Sequence, residues 1–178
     1  MKYIMHELTV KDFKIWIVLL WLILPIPILS GYYLKPEDPL FLIILFLILG
    51  FFISNFIMRK SLSFKKYFTS QYNPLTSKIR IEKIFDVSKE LMFEKVMEVV
   101  DDSKFQLVDT DNEKLEILAI SSISFLSWGE NLYISFETRG DETVMKFCSS
   151  TLFQIYSWGK NEKNISDLLN EIESSFTI

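Results

Sequence analysis

Histidine and cysteine are almost absent from this chain, which has one of each, His6 and Cys148, among its 178 residues. A lone cysteine cannot form a disulfide within the chain, which agrees with a reducing compartment. Zinc sites are built from several cysteine and histidine ligands, and Cys-His or Ser-His-Asp catalysis needs a histidine beside its nucleophile. We therefore expect no enzymatic activity, no cofactor and no metal, and we assign no catalytic residue.

Charged residues are missing from two long stretches, Ile15–Leu34 and Pro39–Met58. Each stretch has twenty residues, and a helix of that length spans about 30 Å, the thickness of a bilayer's hydrocarbon core. The pattern predicts a transmembrane hairpin with an external loop at 35–38. A cleaved signal peptide explains the first stretch poorly, because bulky Ile28 stands where a cut after Ser30 requires a small residue.

The basic residues around these stretches predict the orientation. Three lysines lie in the N-terminal segment 1–14, and four basic residues follow the second stretch within eight positions, namely Arg59, Lys60, Lys65 and Lys66. By the positive-inside rule, both termini face the cytoplasm and the protein is a multi-pass protein of the inner or plasma membrane. The four residues after the second stretch are candidate contacts for lipid headgroups, at about 1 kcal/mol each.

Proline and small residues interrupt the two predicted spans. Pro25 and Pro27 predict a kink, which serves either as an exit from the helix at the outer interface or as a notch for a partner helix. Gly50 and Ser54 form a small-xxx-small pair, and Asn55 is able to hydrogen-bond across a helix contact. These residues suit packing within the hairpin or against another membrane protein.

Residues 59–77, here called the connector, join the second span to the rest of the chain. If this segment is helical, its aromatic residues Phe64, Tyr67, Phe68 and Tyr72 share one face beside lysines. Such a helix suits the inner leaflet. An irregular linker is the alternative.

The remaining residues, 78–178, are the size of one small domain and are acidic. Residues 1–80 carry a net charge of +6, whereas residues 81–178 carry −10. Affinity for nucleic acid depends mainly on lysine and arginine contacts to phosphate, so no nucleic-acid partner is expected. We expect this cytoplasmic domain to fold without the connector.

Alternating and helical periodicities predict the elements of this domain. The order is β-α-β-β-β-β-β-α, a small two-layer α+β domain with an antiparallel sheet and two helices over one face. Buried helical stripes are predicted at Leu91, Met92, Val96, Val99 and Val100, and at Ile165, Leu168, Leu169, Ile172 and Phe176. The predicted strands are 78–86, 105–108, 115–121, 132–137, 143–148 and 152–156, the last being the weakest pattern.

Two five-residue segments, Ser127–Asn131 and Ser157–Asn161, match at four positions, as Ser-Trp-Gly-x-Asn. One interpretation is two equivalent strand ends whose tryptophans fill the core, which suits Trp158 best because the terminal helix follows it. The alternative is a rim of Trp128, Asn131, Trp158 and Asn161 that faces a partner or an apolar cavity.

Two classes of function follow from these features. The first is a membrane-anchored, non-catalytic accessory protein whose domain binds another membrane or cytoplasmic protein. The second is a domain at the inner leaflet that binds a lipid or apolar small molecule, because a curved sheet closed by a helix encloses a cavity. A cavity of several hundred Å³ favours the second, whereas an exposed tryptophan favours the first.

Overall fold

The computed structural model describes residues 4–5, 38–124, 127, 129–151 and 154–176. The predicted span at 15–34, with its prolines, and loop residues 35–37 lie outside the described residues. The chain divides into two compact units, one formed by Glu7–Ile57 and the other by Met1–His6 with Met58–Ile178.

The second apolar stretch is one helix, α1, over Pro39–Met58. Most of its described large apolar side chains are exposed, Phe46 to 75%. Side chains at positions 51, 52 and 54–56, which include the predicted Ser54 and Asn55, lie outside the described residues. Counted over the described residues alone, no helix is long and apolar enough to cross a membrane.

The other unit contains an antiparallel sheet, which confirms the predicted α+β class. Its long strands run in the order β2-β6-β5-β4-β3, and a two-residue strand, β1, pairs with the β2 edge. The bounds of these elements are β1 Ile4–Met5, α2 Lys65–Thr69, β2 Lys78–Phe85, α3 Lys89–Asp102, β3 Gln106–Asp111, β4 Glu116–Ile120, β5 Glu130–Arg139, β6 Glu142–Thr151 and α4 Lys160–Phe176.

Helices α3 and α4 cover one face of the sheet, and the main core lies between these layers. Alternate strand residues such as Ile79, Ile134 and Phe147 point into it, since successive side chains of a strand face opposite ways. The Ser88 hydroxyl caps α3 by accepting a hydrogen bond from the Leu91 amide at 3.3 Å. Packing of these apolar faces holds the two layers together.

Three details differ from the sequence predictions. Leu91 is 51% exposed and Phe93 is buried in its place, because the stripe of α3 is rotated by one position at its first turn. Phe176 is partly exposed and packs on Phe85, with ring centroids 5.9 Å apart. The predicted strand at 152–156 does not form as a separate element among the described residues: β6 continues to Thr151, and Gln154 makes a single bridge to Thr76.

The connector packs on the second face of the sheet, so the domain extends beyond the predicted 78–178. A short 3-10 helix at Leu62–Phe64 leads into α2, and Phe68 of α2 is fully buried. Phe68 forms a second cluster with Leu118, Tyr133 and Cys148. Among the four aromatic residues that were predicted to share one face, Tyr72 is 85% exposed, because α2 ends before it at Thr69. A fragment that begins at residue 78 would expose this cluster to water.

Candidate functional site

Polar contacts fix the connector to the sheet at three strands. The Leu62 amide donates a hydrogen bond to Asp109 Oδ2 of β3 at 2.9 Å, and Lys65 Nζ donates to Glu116 Oε1 of β4 at 2.7 Å. The Ser150 hydroxyl of β6 donates to the Phe68 carbonyl at 3.2 Å. The connector is therefore held by specific bonds as well as by its buried phenyl ring.

Lys78 ties the end of the connector to β2 from a buried position. Its ammonium group donates to the carbonyls of Ser70 and Asn73 and to the Thr76 hydroxyl, the last at 2.7 Å. Burial lowers the pKa of Lys78 to about 8. The charged form is nonetheless satisfied by three oxygens, which is how a buried ammonium is tolerated.

A groove of about 540 Å³ lies beside the connector, on the part of this face that α2 leaves uncovered. We call it the connector groove. Its volume is within the range of about 300–1,000 Å³ that is usual for small-molecule sites. Its lining combines apolar and cationic side chains and includes one carboxylate. It consists of Lys65, Thr69, Arg80, Ile81, Glu82, Ile84, Tyr133, Ser135, Arg139, Lys146, Phe147 and Cys148.

Three of the four cations in the connector groove are paired with acids. Lys65 pairs with Glu116, Lys146 with Glu137, and Arg139 lies 3.8 Å from Glu82. Arg80 differs, because none of the described carboxylates lies within ion-pair distance of its guanidinium group. An acidic domain thus presents a concave surface whose lining is net positive.

Arg80 has the thiol of Cys148 as a hydrogen-bond partner. Burial raises the pKa of Cys148, and the charge and hydrogen bond of Arg80 counteract only part of that effect. Cys148 is therefore a neutral thiol in the wall of the groove, since reactive cysteines have lowered pKa values. Arg80 retains further donors for a ligand, because a guanidinium group carries five N–H bonds.

The two Ser-Trp-Gly-x-Asn segments lie at one end of the sheet, but they lead into different elements. Ser127–Asn131 enters β5, whereas Ser157–Asn161 enters α4. Both glycines have a left-handed backbone, with φ +89° at Gly129 and +76° at Gly159. At Gly129 a Cβ atom would also collide with the Arg59 guanidinium group and lie 2.7 Å from the Ser121 carbonyl oxygen. The shared glycine therefore reflects backbone geometry, as expected for this residue type.

Both asparagines of these segments are fully buried tethers. Asn131 Nδ2 donates to the Arg59 carbonyl at 3.2 Å and to the Tyr133 hydroxyl at 2.9 Å, while its Oδ1 accepts from Arg59 Nε at 3.3 Å. Asn161 accepts from the Ser149 hydroxyl at 2.8 Å and donates to the Ser77 carbonyl at 3.1 Å. Carbonyl groups of the connector thus occupy both amides, so neither asparagine is available to a rim that faces a partner.

The structure describes one of the two tryptophans in these segments, Trp158. Trp158 is 62% exposed, so the expectation that its ring fills the core is wrong. Its ring stacks edge-on against exposed Tyr156, with centroids 4.9 Å apart. Its φ of +50° is costly for a non-glycine residue, at about 1–3 kcal/mol. Trp128 lies outside the described residues.

Glu130, which occupies the variable position of the first segment, is the buried charge that the sequence pattern does not reveal. It is 1% exposed, and its carboxylate accepts hydrogen bonds from the hydroxyls of Ser121 and Ser127 and from Asn164 Nδ2, the last at 2.9 Å. Burial lowers the pKa of Arg59, and the negative charge of Glu130 opposes that shift. The three hydrogen bonds join the end of β4, β5 and α4, whereas the interaction with Arg59 of the connector is electrostatic.

The four predicted headgroup contacts fall into two pairs. Arg59 binds Asn131, and Lys65 forms an ion pair with Glu116. Lys60 and Lys66 are exposed. The fold thus employs two of these cations to dock the connector and leaves the other two on the surface.

No metal centre is apparent in the part of the chain that the structure describes, where no three His, Cys, Asp or Glu side chains converge. No protein-family model matches the chain, and no curated protein matches it. Among solved structures, the protein TTHA0849 from Thermus thermophilus is 12% identical, with a TM-score of 0.36. The match covers 55% of this chain and 94% of that protein. A likeness at this level supports no inference about fold or function.

Proposed function

We propose that the chain is a membrane-anchored, non-catalytic accessory protein whose cytoplasmic domain binds an anionic amphiphile in the connector groove. Two uncharged runs of twenty residues anchor it, and the basic residues around them place both termini in the cytoplasm. Helix α1 is apolar on all its described sides, which suits lipid better than water. These features support membrane attachment.

The observation that carries the binding proposal is Arg80 in the connector groove. A guanidinium group without a carboxylate partner among the described residues shares the groove lining with apolar Ile84 and the ring of Tyr133, which lie on the same face of the sheet. Arginine pairs favourably with carboxylate or phosphate through two parallel hydrogen bonds. A ligand with an anionic head and a short apolar body matches this lining, because the head pairs with the guanidinium group and the body contacts the apolar side chains.

We expect Arg80→Gln to weaken binding of octyl phosphate, an anionic single-chain probe, to the full chain in nanodiscs of phosphatidylcholine. Loss of a charged hydrogen bond costs about 1.5–3 kcal/mol, which corresponds to roughly a tenfold or greater rise in Kd. Calorimetric titration, with empty nanodiscs as the blank, measures this change. Lys89→Gln, which removes a cation outside the groove, is the matched control and should leave Kd unchanged.

Octanol should bind far more weakly than octyl phosphate, because it cannot pair with the guanidinium group. Equal Kd values for the wild type and Arg80→Gln would contradict a ligand site at this residue. In that case the accessory role through a protein partner, the other function expected from the sequence, would remain.

The anchoring proposal predicts the accessibility of two cysteines in intact cells. A Glu37→Cys variant should react with a membrane-impermeant thiol reagent, because position 37 lies in the proposed external loop. Native Cys148 should not react until the cells are opened and the protein is unfolded, since it is cytoplasmic in this proposal and 7% exposed in the fold. Labelling by mass shift measures both. A silent Glu37→Cys in intact cells that reacts after lysis would overturn the proposed topology.

A further inference from the structure

Four large side chains are exposed at one end of the sheet. Ile123 is 74% exposed, Tyr156 57%, Trp158 62% and Tyr72 85%. Ile123 follows the last residue of β4 by three positions, and Tyr156 and Trp158 follow β6. Tyr72 belongs to the segment whose Ser70 and Asn73 carbonyls bind Lys78 at the start of β2. We call these four residues the aromatic end.

The strand register places these segments at the same end. Glu130 at the start of β5 pairs with Thr151 at the end of β6, and Lys78 at the start of β2 pairs with Ser150. Asn131, next in β5, pairs with Ile120 at the end of β4. The opposite end of the sheet carries the turn between β5 and β6, at 140–141.

The connector brings this end of the sheet to the point where the chain leaves α1. Arg59 follows Met58, the last residue of α1, and both its carbonyl and its side chain bind Asn131 at the start of β5. The sheet end that carries Asn131 is therefore joined to the apolar run through a single residue. If α1 spans the bilayer, as proposed above, this end of the domain lies at the level of the lipid headgroups.

The chemistry of the aromatic end fits that location. Tyrosine and tryptophan side chains, with an apolar ring and a polar tip, concentrate at membrane interfaces. Trp158 is held in a left-handed backbone conformation that turns its ring outward onto Tyr156, although the core would be the ordinary place for an indole. Lys60 directly follows Arg59, and Lys160 lies two residues after Trp158. Both lysines are thus near this surface in the chain and suit anionic headgroups.

We propose that the aromatic end inserts into the interfacial region of the cytoplasmic leaflet, so that the domain rests on the membrane with the β5–β6 turn pointing away. The inference rests on the proposed span at 39–58. The occupant of this surface is the bilayer itself. A cytoplasmic protein bound at the same residues is the competing outcome that the experiment below distinguishes.

The test uses the full chain with Cys148→Ala, reconstituted into vesicles of phosphatidylcholine and phosphatidylglycerol. Nitroxide labels are attached singly to Ile123→Cys at the aromatic end, to Asp141→Cys at the opposite end and to Phe46→Cys within α1. Strand β5 has ten residues, so the two ends of the sheet are about 30 Å apart. Spin relaxation by oxygen, which is enriched in lipid, is compared with relaxation by a water-soluble nickel complex.

The label at position 123 should show an oxygen-to-nickel ratio several-fold above that at position 141, while the label at position 46 gives the highest ratio. Tyr156→Ser with Trp158→Ser should lower the ratio at position 123 toward that at 141, because the rings that hold this end in the interface are removed. Both positions are exposed, so the fold should survive these changes.

The three labels separate failure of this inference from failure of the proposed anchor. A lipid-like signal at 46 with equal, water-like signals at 123 and 141 would overturn insertion of the aromatic end. The competing outcome, a cytoplasmic protein that binds these residues, would then be favoured. A water-like signal at 46 would overturn the span itself, and with it the basis of the inference.

Discussion

Replacing Phe68 by alanine is expected to destabilise the full chain by about 3–5 kcal/mol, the usual cost of deleting a large buried aromatic side chain. Phe68 is fully buried against Leu118, Tyr133 and Cys148 on the second face of the sheet. Its loss would leave a cavity between the connector and the sheet. Urea unfolding of the protein in micelles, followed by tryptophan fluorescence, measures the change in the free energy of unfolding.

Tyr72→Ala is the matched control for Phe68→Ala, because both residues are aromatic and belong to the connector, but Tyr72 is 85% exposed. We expect its effect to stay within about 0.5 kcal/mol, as for most surface substitutions. Equal small losses at both positions would mean that the connector is a linker that does not support the domain. In that case residues 78–178 should fold alone, as the sequence first indicated.

The sequence predicted the first face of the sheet well because its signal is periodic. In β2 the apolar Ile79 and Ile81 alternate with charged residues, and in α4 the apolar residues recur at helical spacing through Ile172. Both patterns match one buried face, and the structure places these residues in the main core. The antiparallel pairing of β3 with β4 and of β5 with β6 followed from the short turns that join them.

The second face was missed because its composition is mixed. Along β5 this face carries Asn131, Tyr133, Ser135 and Glu137, a pattern that is typical of a strand's solvent side. Only the connector makes the first two of these positions buried, by contributing Phe68 and the backbone of Arg59. A contact that depends on a distant, weakly periodic segment has no local signature.

The candidate site was harder to predict than the fold for the same reason. The sequence indicated a cavity between sheet and helix, yet the groove lies on the opposite face, beside the connector. Arg80 is one of the alternating polar residues of β2, and nothing local distinguishes it from Glu82. Its surroundings include Cys148, which belongs to a strand that is distant in sequence and adjacent in the sheet.

Replacing Glu130 by alanine should be as damaging as the loss of Phe68, although the sequence marks Glu130 only as a variable position between Gly129 and Asn131. Its buried carboxylate accepts hydrogen bonds from Ser121, Ser127 and Asn164. The substitution removes the acceptor of those three hydrogen bonds and the negative charge that stabilises the partly buried Arg59. Removing one partner of a buried charged network costs about 3–5 kcal/mol, which is measurable by the same urea unfolding.

Glu137→Ala provides the control for Glu130→Ala, because Glu137 lies on the same strand and pairs with Lys146 on the surface. Its loss should cost less than about 1 kcal/mol, as for exposed ion pairs. Glu130→Gln keeps the side-chain volume and one acceptor oxygen, so it should fall between the two alanine variants. If Glu130→Ala were as stable as Glu137→Ala, the hydrogen bonds of the Glu130 carboxylate would not be what holds β4, β5 and α4 together at this end of the sheet. Arg59 would then need no buried anion to hold the connector against the sheet.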